Sequence, residues 1–147
     1  MALSQQYEIA PPLIILVEDD DGDAQAVQRA FRKAKWGDSV VRVVDGIAAL
    51  ELLRSPAGKA TLSDRRLLLV DLNMPRMNGI QFVRALRADE QLHRLIVFIL
   101  TTSEREEDKI AAYDLNVAGY IAKTTAGEDF SNLVGLLDYY SKIVKIP

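Results

Sequence analysis

Short apolar runs alternate along this chain with segments whose apolar residues recur at helical spacing. Leu13-Ile14-Ile15-Leu16-Val17, Leu67-Leu68-Leu69-Val70 and Leu95-Ile96-Val97-Phe98-Ile99-Leu100 are near-continuous, the pattern of strands buried on both faces. Ala24, Val27, Phe31 and Ala34 share one helical face, and Phe130, Leu133, Val134 and Leu137 share another. Ser103 and Glu106 have the spacing of a capping box, as do Thr125 and Glu128, so each pair predicts a helix start. The predicted order is strand 13–18, helix 23–35, strand 39–44, helix 46–54, strand 66–71, helix 79–88, strand 95–100, helix 104–115, strand 119–122 and helix 126–141. That alternation predicts an α/β domain with a parallel sheet covered on both faces. Residues 1–12 read as a polar lead-in closed by Pro11-Pro12, which cannot join a sheet interior. Residues 55–65, with Pro56 and Gly58, are expected to form a longer surface loop.

The strand ends carry the chemistry. In an open parallel sheet the loops beyond the strands' carboxyl ends surround one crevice. The first run ends in Glu18-Asp19, the third predicted strand in Asp71, the fourth in Thr101-Thr102 and the fifth in Lys123. Three carboxylates, two hydroxyls and one lysine would converge there, a set suited to a divalent cation, a nucleophilic carboxylate and a phosphoryl group. Asp71 is the candidate nucleophile, since a carboxylate can attack phosphorus to give an acyl phosphate. Magnesium would cancel the charge between two anionic reactants, and Glu18 and Asp19 are its natural partners. Lys123 can pair with carboxylate at rest and with phosphate after transfer, and Thr101 can offer a hydroxyl to a phosphoryl oxygen. Each residue alone has a plainer explanation. Glu18-Asp19-Asp20-Asp21 would serve as a solvated turn, Lys123 as a surface lysine and Thr101 as a helix-start residue. Four suitable types at four strand ends outweigh those readings, while Asp20 and Asp21 stay as turn or cap residues.

Composition narrows the partners. At 147 residues the chain has room for one domain with a sizeable core. A net charge of −3 without a basic cluster gives no footprint for nucleic acid. No cysteine is present, so thiol and disulfide chemistry are excluded. No apolar run approaches membrane-spanning length and the start lacks signal-peptide features, so a cytoplasmic protein without membrane contact is expected.

Together these residues resemble the receiver domain of two-component response regulators, over roughly residues 12–141. The matching motifs are Glu18-Asp19, Asp71 with Met74-Pro75 and Gly79, Thr101, and Lys123. The resemblance implies a flavodoxin-like five-stranded sheet in the order 2-1-3-4-5 with five helices. It implies that Asp71 takes a phosphoryl group from the histidine of a sensor kinase. It also implies Mg²⁺ held by Asp19, Asp71 and the main-chain carbonyl of Asn73, with Glu18 directly or through water. Thr101 and Tyr120 fall at the family's switch positions, and Thr102 lies beside Thr101 on the phosphate side. One departure stands out: Thr124 occupies the place of the family's usual proline after the lysine, which predicts a trans or rearranged loop and a looser site. The longer loop before the third strand and the Ile-Pro ending also resemble stand-alone regulators paired with bacterial phytochrome kinases. That likeness implies a light-sensing kinase partner and a homodimer. In the tail, residues 142–147, Ile143, Val144 and Ile146 either complete the monomer's core or pack on a second copy.

Other functions fit less well. An aspartyl-phosphate phosphohydrolase would carry a second Asp two residues after the nucleophile, and here that position is Asn73. A flavodoxin-like cofactor binder would need a phosphate loop after the first strand, where this chain has four acids. A phosphate sink, or an interaction module independent of phosphorylation, remains as an alternative output. His93 reads as a surface loop residue, so the phosphodonor is expected from outside the chain.

Overall fold

The computed structural model describes residues 11–56 and 65–147. Most of the lead-in and the centre of the loop predicted over 55–65 lie outside the described residues. Strands β1 (Leu13–Val17), β2 (Val40–Val43), β3 (Arg66–Val70), β4 (Ile96–Thr101) and β5 (Gly119–Ala122) form one parallel sheet in the order β2-β1-β3-β4-β5. Helices α1 (Asp21–Lys33), α2 (Gly46–Arg54), α3 (Gly79–Ala88), α4 (Glu106–Asp114) and α5 (Ser131–Ile143) connect or follow them. The expected fold class and strand order are both found.

Alternation along the central strands sorts the apolar residues into two cores. Ile15, Val17, Leu68 and Val70 face α2 and α3, where they meet Ala49, Leu53, Phe82 and Leu86. Ile14, Leu16, Leu67 and Leu69 face α1 and α5, where they meet Val27, Phe31, Leu133 and Leu137. Both faces of β1 and β3 are therefore dry, which explains their unbroken apolar runs. Trp36 closes the lower end of the second core, with its ring edge-on to Phe31 at a centroid distance of 4.9 Å.

Three expectations about helix ends need correction. Helix α1 starts earlier than predicted, because the Asp20 carboxylate caps it by accepting from the Asp23 N–H at 2.8 Å. Ser103 does not cap α4: its hydroxyl donates to the Asp108 carboxylate, and the helix opens only at Glu106 after an uncapped Arg105. Thr125 does not cap α5 either. Its hydroxyl donates back to the Ala122 carbonyl at 3.1 Å, and the chain makes two 3-10 turns, Lys123–Thr125 and Glu128–Phe130, before α5 begins at Ser131. Gly127, Asp129 and Phe130 all have positive φ in this passage, so no continuous helix can cross it. Ala34, assigned to the apolar face of α1, is exposed at its C-cap.

Candidate functional site

Sheet register brings the predicted residues together. Val17 lies opposite Val70, so Glu18 and Asp71 leave adjacent strands at the same level, and the Asp71 N–H donates to the Val17 carbonyl at 3.0 Å. Thr101 lies opposite Ala122, which sets Lys123 one step beyond it. Glu18, Asp71 and Thr101 are buried, whereas Asp19 and Thr102 are exposed at the rim. One carboxylate oxygen from each of Glu18, Asp19 and Asp71 lies within 4.8 Å of the others.

Lys123 sits against this cluster. Its Nζ is 2.7 Å from Glu18 Oε1, 2.7 Å from Asp23 Oδ2 and 3.7 Å from Asp71 Oδ2. Burial alone would lower the ammonium's pKa. Hydrogen bonds to Asp23 and Glu18, with the charge of Asp71, outweigh that and hold it above the ordinary lysine range. Burial is also the largest influence on Glu18. Against the hydrogen bond from Lys123, and with the negative charge of Asp71 adding to it, burial pushes the carboxyl up to about 7. One ammonium does not neutralise the surrounding carboxylates. All-oxygen donors, a surplus of negative charge and an exposed rim fit a hard divalent cation.

Neighbouring contacts fix the frame. The Arg42 Nε donates to the Glu18 carbonyl at 2.9 Å, and the Glu18 carboxylate accepts from the Asp20 N–H at 3.2 Å. Beyond Asp71, the Asn73 N–H reaches Asp71 Oδ1 at 3.5 Å, which places Asn73 beside the carboxylate. Helix α3 then begins with a reciprocal capping box between Asn78 and Gln81. Gly79 lies so close to the Asp71 main chain that a Cβ there would meet the Asp71 carbonyl oxygen at 2.4 Å. Arg76, in the left-handed region at φ 65°, donates to Asp45 at 2.8 Å and ties this loop to the start of α2. No cis peptide bond occurs among the described residues, so the bond between Lys123 and Thr124 is trans, and the Lys123 side chain, 9% exposed, is held by two carboxylates at hydrogen-bond distance. Tyr120 is half-buried, with its hydroxyl donating to the Ser103 carbonyl at 2.9 Å, and the Ser103 N–H reaches Thr101 Oγ1 at 3.3 Å. The two switch candidates thus join one loop.

The sequence reading did not find Asp23, Arg42, Asp45 or Arg76. Asp23 looked like an ordinary acid at a helix start, and no spacing rule connects it to a lysine 100 residues away.

A flavodoxin-like sheet gathers a buried aspartate, two further acids and a lysine at its strand ends. Residues 14–134 match the family described as response regulator receiver domain. The chain belongs to that family and is a phosphoacceptor signalling domain. It is 30% identical over 138 residues to response regulator Rcp1 of a Synechocystis strain, covering 93% of this chain and 94% of that one. The crystal structure of a phosphorylated cyanobacterial phytochrome response regulator, RcpA, superposes with a TM-score of 0.81 at 32% identity, over 94% of this chain and 99% of that one. A Mn²⁺-bound form of Rcp1 superposes with a TM-score of 0.77 at 30% identity, over 93% and 99% of the two chains. Among the described residues no helix is long and apolar enough to cross a membrane.

Proposed function

We propose that Asp71 is the phosphoacceptor of a cytoplasmic response regulator and that its phosphorylation switches a protein-binding surface. The observation that carries this reading is a buried Asp71 carboxylate beside the Glu18–Lys123 pair, 3.7 Å from the ammonium, with Asp19 open to solvent. An Asp71 oxygen attacks the phosphorus of a kinase phosphohistidine. The P–N bond breaks as the new P–O bond forms, and the imidazole nitrogen leaves with the electron pair and takes a proton from solvent. Asp19, Asp71 and the Asn73 carbonyl, with Glu18 directly or through water, would hold Mg²⁺, which supplies charge cancellation between nucleophile and phosphoryl group. Lys123 and Thr101 then meet the phosphoryl oxygens, with Thr102 at the rim. A shift of Thr101 acts on Tyr120 through Ser103, because both residues bond to Ser103. The chain promotes this transfer, and the later loss of the group, only on itself.

The likeness to Rcp1 and RcpA supports a sensor histidine kinase of the phytochrome type as donor. A homodimer is supported by the outer face of α5. There Leu136 is 46%, Tyr139 69% and Ile143 64% exposed at helical spacing, beside a partly exposed Val144. Ile146 does not share that role, because it packs against the monomer's second core.

Incubation with Mg²⁺ and a small acyl phosphate, followed by intact mass, tests the acceptor. One phosphoryl group should be gained by the natural chain, and none by Asp71→Asn or by a metal-chelated sample. No gain from either an acyl phosphate or a histidine kinase would leave an interaction module independent of phosphorylation. Gain without any change in partner binding or self-association would leave a phosphate sink.

A further inference from the structure

A lysine ammonium has three donors, and two of those of Lys123 are used at 2.7 Å on Glu18 and Asp23. Asp71 Oδ2 at 3.7 Å is beyond hydrogen-bond distance, so the ammonium stands beside the acceptor without bonding to it. Glu18 is part of the acidic pair already described. Asp23 comes from a different element, the first turn of α1, and has no other assigned task. Capping belongs to Asp20, which accepts the Asp23 N–H, and Asp21 pairs with Arg42 at 2.7 Å. The Asp23 carboxylate is therefore free of the helix start and directed at Lys123, whose outer wall it forms with a side-chain exposure of 37% against 9% for the lysine.

Resting on the assignment of Asp71 as acceptor, we infer that Asp23 is a positioning residue for Lys123. Together with Glu18 it holds the ammonium back from Asp71 and leaves one donor for the incoming phosphoryl oxygen. Without Asp23, Glu18 is the only carboxylate at bonding distance among the described residues, and the lysine can close the 3.7 Å gap and pair with Asp71 itself. A carboxylate paired that way is a poorer nucleophile and a poorer partner for a cation. Asp23 thus keeps the two halves of the site apart until transfer.

Asp23→Asn, Asp23→Glu and Asp21→Asn are to be compared with the natural chain in two measurements. The first is the rate of phosphoryl gain from an acyl phosphate at saturating Mg²⁺, as a function of donor concentration. The second is the ¹H–¹⁵N signal of the Lys123 ammonium in metal-free protein, assigned with Lys123→Arg. Asp23→Asn should lower the maximal rate about tenfold, the scale of a hydrogen bond to a charged group with allowance for exposure. The donor concentration at half-maximal rate should stay unchanged, and the Lys123 signal should shift or broaden. Asp23→Glu should restore most of the rate, and Asp21→Asn should change neither measurement. An Asp23→Asn variant with the natural rate and an unmoved Lys123 signal would overturn the inference, as would an equal slowing by Asp21→Asn. Those results would leave the acceptor assignment standing, since the natural chain would still gain its phosphoryl group. A natural chain that gains none from any donor would remove both.

Discussion

The carboxyl end of the sheet and the outer face of α5 are built on opposite terms. At the sheet end, charged groups are drawn inward and satisfy one another: Glu18 is 1% exposed yet bonds to Lys123 and to the Asp20 N–H. On α5, apolar groups are left outward, and Leu136, Tyr139 and Ile143 have large exposed areas. Burying charge without partners costs several kcal/mol, so the first region must be organised by specific contacts within the chain. Exposing apolar surface costs less and needs no partner within the fold. The comparison teaches where to look for each kind of function: chemistry where buried charged groups face one another, association where apolar groups face solvent.

The largest effect should come from crossing between the two sides of α5. Leu137 is fully buried, while its neighbour Leu136 is 46% exposed. Leu137→Ala should destabilise the protein by about 2–5 kcal/mol, the range for deleting a buried leucine side chain. Leu136→Ala should stay within about 0.5 kcal/mol. Urea unfolding of the two variants checks this, and similar midpoints would show that α5 is not seated as described.

Next in size is Gly79→Ala, which acts on the site through its backbone. A Cβ at 2.4 Å from the Asp71 carbonyl oxygen must push α3 away from β3. Overpacking of this kind costs about 1–3 kcal/mol, and here it would also displace Asp71. The variant should lose stability in urea and phosphoryl gain by mass together. Stability lost with phosphorylation intact would separate the helix start from the site.

What could be read in advance follows the same division. Glu18, Asp19, Asp71, Thr101 and Lys123 were legible because a parallel sheet delivers its strand ends to one place, whatever the loops do. Thr101 proves to be the last residue of β4 rather than the first after it, a shift that leaves the convergence intact. The helix starts were less legible, because a hydroxyl has several possible partners. Ser103 fits the capping spacing but reaches Asp108, and Thr125 turns back to Ala122. Asp23 was illegible for a different reason. Its partner is set by how α1 packs across the sheet from β5, and no local pattern carries that. In the tail, Ile143 and Ile146 have the same composition and opposite fates, decided by where α5 ends.

A smaller effect with a clear pH signature is expected at Asp45, which links the site's loop to α2. Its carboxylate accepts from the Ala48 N–H at 2.8 Å and pairs with Arg76 at 2.7 Å, and it is 4% exposed. The Ala48 hydrogen bond is the main influence lowering its pKa, and Arg76 adds to it against the effect of burial. A depressed carboxyl contributes stability above its unfolded value of 3.8, and that contribution is lost as pH falls through the folded value. Asp45→Ala should therefore cost about 1–2 kcal/mol at neutral pH, the scale of a lost helix cap. The difference from the natural chain should shrink in acid below pH 3.8. A difference that stays constant with pH would mean that packing, and not the charge, carries the effect.

The smallest effect on the folded monomer should come from the most exposed apolar residue on the α5 face. Tyr139 is 69% exposed, so Tyr139→Glu should leave the unfolding midpoint of the monomer within about 0.5 kcal/mol of the natural chain. In self-association the same change should be decisive, because it sets a charge in the middle of the stripe formed by Leu136, Tyr139 and Ile143. In a two-fold contact each copy would bring that charge to the same patch. Sedimentation of the phosphorylated and unphosphorylated forms separates the possibilities. A natural dimer reduced to monomer by Tyr139→Glu, with phosphoryl gain at Asp71 unchanged, would show that chemistry and association occupy separate faces. A dimer that survives the substitution would move the contact off this stripe. Loss of phosphorylation in the variant would contradict the separation itself, since nothing in the described contacts joins Tyr139 to the carboxylates.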